Sequence, residues 1–337
     1  MSALAGRRIA LIGGGGFIGH HLALALKGEG ADVHVVDSLQ VNNLIYLYSQ
    51  DSAAESRKVY QRMVFERLDE LDRAAIPLHT QDARYYHELS RVLERIAPDT
   101  IIQLAAVAHA SRSNKDPYTT FDHSLHTLEN ALDYARGSGV RHFIYFSSSM
   151  VYGTFESGAV DEDSPCNPLG IYGALKYAGE KLVIAYHQVF GLPYTIVRPS
   201  ALYGERCVSR RVIQIFIENA LRGRPLEMSG DGSDSLDFTY IQDLVQGLSL
   251  CLTVEEAKGG IFNLTYGRAR ALNEVAELLR HEFPGLEVRS VPKDKLMPDR
   301  GTLNIARARR VLGYAPRFPI ETGVTRYLDW YRTFWKG

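Results

Sequence analysis

The sequence predicts an α/β fold, a doubly wound parallel sheet with a smaller α+β part packed on it. Three observations predict this. Short apolar runs alternate with amphipathic stretches through residues 8–198, the signature of repeated βαβ units. A glycine-rich turn, Gly13-Gly14-Gly15-Gly16-Phe17-Ile18-Gly19, joins the first strand to the first helix. The chain has 337 residues, more than one such unit requires, so a second part must be accommodated.

The elements follow in order. Apolar runs mark strands at Arg8–Ile12, Asp32–Asp37, Thr100–Leu104, His142–Ser147 and Tyr194–Arg198. The run Ile101-Ile102-Gln103-Leu104 suits a strand covered on both faces. Amphipathic spacing marks helices at Phe17–Glu29, Tyr85–Ile96, Thr120–Ser138 and Tyr172–Phe190, the last stopped by Gly191 and Pro193. Asn43–Ala75 is rich in Tyr, Arg and Glu and reads as one long or two short helices with a solvated face, or else a lid or partner surface. After Ser200 the alternation weakens, and shorter helices are expected at Arg211–Leu221, Asp243–Leu252, Leu272–His281 and Ile305–Leu312. No repeat or low-complexity linker separates the parts. Residues 1–200 then form one domain, with 237–252 returning to it, and 201–236 with 253–337 form a second.

Composition excludes several classes of function. Hydrophobic residues are 45% and charged residues 23%, ordinary for a globular chain. A net charge of −1 gives no drive towards nucleic acid or an anionic membrane. Cys166, Cys207 and Cys251 share no short spacing, so neither a disulfide framework nor a metal site is expected, and a reducing cytoplasm is the simple location. No apolar run reaches the roughly 18 residues of a membrane helix. Arg7 and Arg8 before an apolar stretch mimic a signal peptide, but the glycines and His20-His21 do not suit an apolar core segment.

Gly13, Gly16 and Gly19 fit G-x-x-G-x-x-G at a strand-to-helix turn, where the backbone must turn sharply and approach a diphosphate. A glycine-rich turn alone is a weak signal. Asp37 strengthens it: an acid at the end of the second strand accepts hydrogen bonds from a ribose diol and repels a 2′-phosphate, which favours NAD over NADP. Tyr172 and Lys176 stand one helical turn apart on one face, where a cation lowers the tyrosine pKa towards that of a general base. Ser147-Ser148-Ser149 ends the preceding strand, and a serine hydroxyl there can hold the substrate oxygen.

These residues resemble the extended short-chain dehydrogenase/reductase family, specifically its nucleotide-sugar epimerases and dehydratases, with a Rossmann-type sheet and a smaller α+β substrate-binding domain. Gly13–Gly19, Asp82-Ala83, Leu104-Ala105-Ala106 and Phe146–Gly153 match that family's motifs in order. So do Arg198-Pro199, Leu202-Tyr203-Gly204, Gly230-Asp231-Gly232, Asp237–Leu244 and Leu312–Pro316. The resemblance implies NAD contacts from Gly13, Gly16, Phe17, Ile18, Gly19 and Asp37. It adds Asp82, Ala83, Leu104, Ala105, Ala106, Ser147, Tyr172, Lys176 and Pro199. It implies catalysis by Tyr172, Lys176 and Ser148, with Ser149 assisting, and a nucleoside-diphosphate sugar held by Ser148, Met150 and Tyr172. It also implies a homodimer formed through the Tyr172 helix, where Leu182, Val183 and Phe190 serve that contact or the core.

The chain departs from the family pattern at three places. Leu236 replaces an Arg that touches the substrate diphosphate, Ala201 replaces an Asn before the L-Y-G, and Ser124 stands where Asn is common. Arg206, Arg210, Arg211 and Arg300 are the candidate replacement cations, against simple surface solvation. Family dehydratases carry an Asp-Glu pair before V-Y-G, and here those positions hold Ser149 and Met150. An NAD-dependent 4-epimerase of an NDP-hexose or NDP-uronate is therefore expected. A dehydratase, decarboxylase or reductase is the alternative, with a noncatalytic NAD sensor behind it.

Overall fold

Side chains alternate between the two faces of a strand, and a parallel sheet must be apolar on both. In the computed structural model, which describes residues 3–49, 54–107, 110–293 and 296–336, seven strands form one parallel sheet. Their order is Leu78–Thr80, Asp32–Asp37, Arg8–Ile12, Thr100–Gln103, His142–Phe146, Tyr194–Arg198 and Gly260–Asn263. Ile9, Leu11, Val33, Val35 and Ile144 face one apolar cluster, while Ala10, Ile12, Val36, Phe143 and Ile196 face the other. The chain winds outward from Arg8–Ile12 to Leu78–Thr80, then crosses to Thr100–Gln103 on the opposite side. Above the carboxyl ends of those two central strands the connections diverge and leave a crevice.

Five strands stand where the apolar runs place them, and two escape the sequence reading. Leu78–Thr80 is only three residues long and half-buried. Gly260–Asn263 begins on glycine, yet it pairs along Tyr194–Arg198 and closes the sheet. The boundary expected at residue 253 is therefore corrected: this strand belongs to the large sheet, not to the substrate-binding part.

The 43–75 segment has an exposed face, as expected, and a buried one that the charge pattern did not announce. It forms two helices, Leu44–Ser49 and Ala54–Arg73, with residues 50–53 outside the described ones. The longer helix buries Tyr60, Met63, Val64, Arg67 and Leu71, a stripe at helical spacing. Thr120–Ser138 is not one regular helix. Pro117–Phe121 leads into a π-helical turn at Asp122–His126 and then Thr127–Gly137. Such turns often lie at functional sites, and this one presents His123 to the crevice. Ser124 in it accepts a hydrogen bond from the Val107 N–H at 3.3 Å.

The second part is built from two-stranded pairs and short helices. Leu226–Ser229 pairs with Val288–Val291, and Ala159–Val160 with Thr302–Leu303. Ile241–Thr253 packs on the first helix, Phe17–Gly28. A C-terminal helix, Ile320–Lys336, buries Tyr327, Leu328 and Tyr331. The Tyr172 helix runs Gly170–Phe190 and ends on Gly191 at φ 70°. Val183 lies in the core, whereas Phe190 is half exposed. Among the described residues no helix is long and apolar enough to cross a membrane, and no cluster of His, Cys, Asp and Glu could hold a metal ion.

Candidate active site

The glycine turn sits at the mouth of the crevice. Gly13 has φ +83°, and a Cβ there would lie 2.6 Å from the Ala105 nitrogen. Only glycine lets the turn approach Leu104–Ala106 so closely. The resulting groove, about 120 Å³, is lined by every cofactor residue named above from Gly13 to Ala106. Asp37 closes one end. Its carboxylate accepts from the Gly15 N–H at 2.9 Å and the Leu39 N–H at 2.7 Å, while burial pushes its pKa up. Burial would also raise Asp82, but hydrogen bonds from Arg84 hold it below the ordinary carboxylate range. A narrow glycine-floored groove with an acid at one end and free helix N–H groups beside it fits a dinucleotide.

Ser147, Tyr172, Lys176 and Pro199 line an adjoining cavity of about 300 Å³. The Tyr172 helix is drawn onto the end of the His142–Phe146 strand by Gly173, where a Cβ would lie 2.7 Å from the Met150 carbonyl oxygen. This seats Tyr172 beside Ser148, whose hydroxyl hydrogen-bonds the phenol and accepts from the Met150 N–H at 3.2 Å. Behind them lies a buried ion pair. Arg198 donates to both Glu180 oxygens at 2.9 and 2.6 Å, which ties the helix to the next strand.

Ser147 and Lys176 also make hydrogen bonds within the protein. The Ser147 hydroxyl donates to Glu180 at 2.5 Å, so its side chain braces the ion pair at the edge of the cavity. Lys176 donates to the Phe146 carbonyl at 2.6 Å, and burial lowers its pKa to about 8. The Tyr172 phenol is raised by burial, and the groups that pull it back are Ser148 and Arg211. Arg211 is thus a second cation near the phenol, beside Lys176 one helical turn away in the same cavity lining.

The arginines divide. Arg210, Arg211 and Arg300 line the cavity, and Arg211 also borders the cofactor groove. The Nε atoms of Arg211 and Arg300 are buried without a hydrogen-bond partner, and burial lowers the Arg300 pKa to about 10. Unpaired buried nitrogens on arginines that line a cavity suit an anionic ligand. Arg206 does not join them. Its backbone is left-handed at φ 60°, and its guanidinium lies 3.0 Å from Glu70 and 3.5 Å from Glu66. Its placement on the substrate is thus overturned. Ala201 and Arg210 are also left-handed, at φ 37° and 49°, so strained backbone clusters on this wall. Leu236, Met150, Phe238 and Met297 make its apolar surface. Ser149 lies between, its N–H bound to the Pro199 carbonyl at 2.9 Å.

The sequence reading missed Arg67, which borders the cofactor groove. One signal could have found it: an arginine on the apolar stripe of an otherwise amphipathic helix. Phe238 and Met297 were missed as well, because they reach the cavity from irregular segments with no periodicity.

Comparison with known proteins agrees with this geometry. A dTDP-glucose 4,6-dehydratase of Streptomyces griseus is 29% identical over 334 residues, covering 97% of this chain and 96% of that one. The structure of a UDP-glucuronic acid 4-epimerase from Bacillus cereus, with UDP-glucuronic acid and NAD, superposes with a TM-score of 0.85 at 25% identity, covering 96% and 99% of the two chains. A UDP-glucose 4-epimerase from Thermotoga maritima with UDP-glucose matches with a TM-score of 0.83 at 25% identity, covering 96% and 98%. Residues 9–265 match the model of the NAD dependent epimerase/dehydratase family. The chain belongs to that family, and its cofactor is NAD.

Proposed function

We propose that the protein is an NAD-dependent 4-epimerase of a nucleoside-diphosphate hexose or hexuronate. One observation carries the choice of reaction. Among the described residues lining the substrate cavity there is no Asp, Glu, His or Cys. A 4,6-dehydratase must remove a proton at C5 and protonate the departing C6 oxygen, which needs an acid and a base besides the tyrosine. An epimerase needs only one group that takes a proton and gives it back.

Tyr172 fills that role. Ser148 holds the sugar oxygen, and Tyr172 in its phenolate form, which Arg211 favours, takes that oxygen's proton and becomes the phenol. Bound NAD supplies a hydride acceptor that later returns the hydride. Arg210, Arg211 and Arg300 hold the diphosphate, with a sugar carboxylate as the further anion they suit. Arg211 and Arg300 replace the cation that Leu236 removes. The apolar wall of Leu236, Phe238 and Met150 binds no hydroxyl tightly, so the keto sugar can turn before Tyr172 returns the proton. A homodimer through the half-exposed end of the Tyr172 helix, at Val189 and Phe190, fits the same reading.

The test is product analysis with UDP- and dTDP-linked glucose and glucuronate in deuterated water. The expected product has the substrate's mass and no deuterium at C5, and Tyr172→Phe abolishes turnover while retaining NAD. Loss of water with label at C5 identifies a dehydratase, and loss of carbon dioxide a decarboxylase; either overturns the epimerase reading.

A further inference from the structure

Arg67 has no part in the reaction outlined above, yet its surroundings are unusual for an arginine. It is fully buried on the inward face of Ala54–Arg73. Its Nε, at 3.0 Å, and its Nη2 both donate to the Arg206 carbonyl oxygen, which fixes the guanidinium plane. The third nitrogen, Nη1, is buried with no hydrogen-bond partner, and the residue borders the cofactor groove. A guanidinium keeps its charge under all ordinary conditions, so burial without a counter-ion is unfavourable. Glu66 and Glu70, on the same helix, are paired with Arg206 instead. Asp37 is the carboxylate that acts on Arg67, and the Gly15 and Leu39 N–H groups already occupy its oxygens.

A short hydrogen-bonded chain links this cation to the glycine turn. Arg67 holds the Arg206 carbonyl, and Arg206 Nε donates to His20 Nε2 at 3.0 Å. His20 Nδ1 lies 2.9 Å from the Gly16 carbonyl oxygen. Burial keeps His20 well below its ordinary pKa, so the ring stays neutral and adds no charge of its own. Arg67 and Arg211 are the arginines that line the groove, and Arg67 is the one this chain of bonds ties to the glycine turn.

We propose that Arg67 is a cofactor-binding residue that grips the diphosphate of NAD, together with the free N–H groups at the start of Phe17–Gly28. The diphosphate is the anionic part of NAD, and Asp37 at the end of the groove repels a phosphate on the ribose instead. The segment between the second and third strands thus belongs to the cofactor site: its long helix delivers the missing counter-charge. The inference rests on the cofactor and not on the choice of reaction, so the two stand or fall separately.

The test is titration of NAD-stripped full-length protein with NAD, ADP, adenosine and NADP by calorimetry. Arg67→Gln removes the charge but keeps a donor for the Arg206 carbonyl. It should weaken NAD and ADP roughly tenfold, the scale of one charge-assisted hydrogen bond, and leave adenosine unchanged. Arg67→Lys should restore most of the loss. Unchanged affinity for ADP overturns the proposal. So does an equal loss for adenosine, which marks a merely structural role, and so does a loss confined to NADP, which places the contact at the ribose. If Arg67→Gln does not fold, the ADP-to-adenosine ratio is read on Arg67→Lys. A greater loss for ADP supports the contact, and equal losses overturn it.

Discussion

Lys176 is an ammonium enclosed by the sheet end and its own helix, with the Phe146 carbonyl as its hydrogen-bond acceptor. Burial outweighs the favourable charge of Glu180 and brings its pKa from 10.5 to about 8. The sign of the consequence follows from proton linkage. Between those two values the unfolded chain holds the proton and the folded chain has released it, so this group makes stability rise with pH. The rise across the full window is roughly 3 kcal/mol. Lys176→Met should lack it, and urea midpoints of both proteins at about pH 8 and about pH 10 measure the difference. Equal pH dependence in the two proteins would refute the burial argument. At this scale the sequence was legible wherever chemistry depends on local spacing. Gly13, Gly16, Gly19 and Asp37 line one groove, and Tyr172 with Ser148 lines the cavity beside it. The sequence misled wherever a backbone angle redirects a side chain. Nothing in the residue types around Arg206 announces a left-handed φ, and that turn sends the guanidinium to Glu66 and Glu70. Arg67 was hidden for a different reason: its counter-ion is not part of the chain.

Between elements, the separation of the Tyr172 helix from the strand end decides where the phenol sits. Gly173 sets that separation, because any side chain there meets the Met150 carbonyl and the Pro168 ring. Gly173→Ala must push the helix outward or shift the turn that carries Ser148. Overpacking of this kind destabilises by about 1–3 kcal/mol. It should also lower kcat more than it weakens NAD binding, since the glycine turn lies on another element; thermal melts, steady-state rates and NAD titration check this together. A normal kcat would show that the helix spacing does not position the phenol. Elements with a strong period or a long apolar run were legible, including Arg8–Ile12, Asp32–Asp37 and Tyr194–Arg198. Leu78–Thr80 and Gly260–Asn263 were not, since pairing with a neighbouring strand, rather than their own composition, makes them strands. The π-helical turn at Asp122–His126 was illegible for a similar reason: the extra residue appears only in the hydrogen-bond pattern.

Across the whole molecule, the two parts are joined by shared apolar packing and by a buried polar node. One apolar cluster runs from Leu11 and Val35 in the large sheet through Phe216 and Leu226 to Leu279 and Tyr331. Glu218 stands within it and accepts from Tyr60 and Tyr331, each at 2.8 Å, so the 54–73 helix, the 212–221 helix and the C-terminal helix converge on one carboxylate. A domain that owns its core can melt alone, whereas parts that share one cannot. Scanning calorimetry of the protein should therefore give one transition, with the calorimetric and van't Hoff enthalpies equal. NAD should move that transition upward as a unit, by an amount that grows with the logarithm of free NAD well above Kd. Among the described residues, the substrate-binding part lends the cofactor groove only Ser209 and Arg211. If it melted separately, its transition would stay in place as NAD is raised while the other moved. Two transitions, of which one ignores NAD, would show that the shared cluster does not couple the parts.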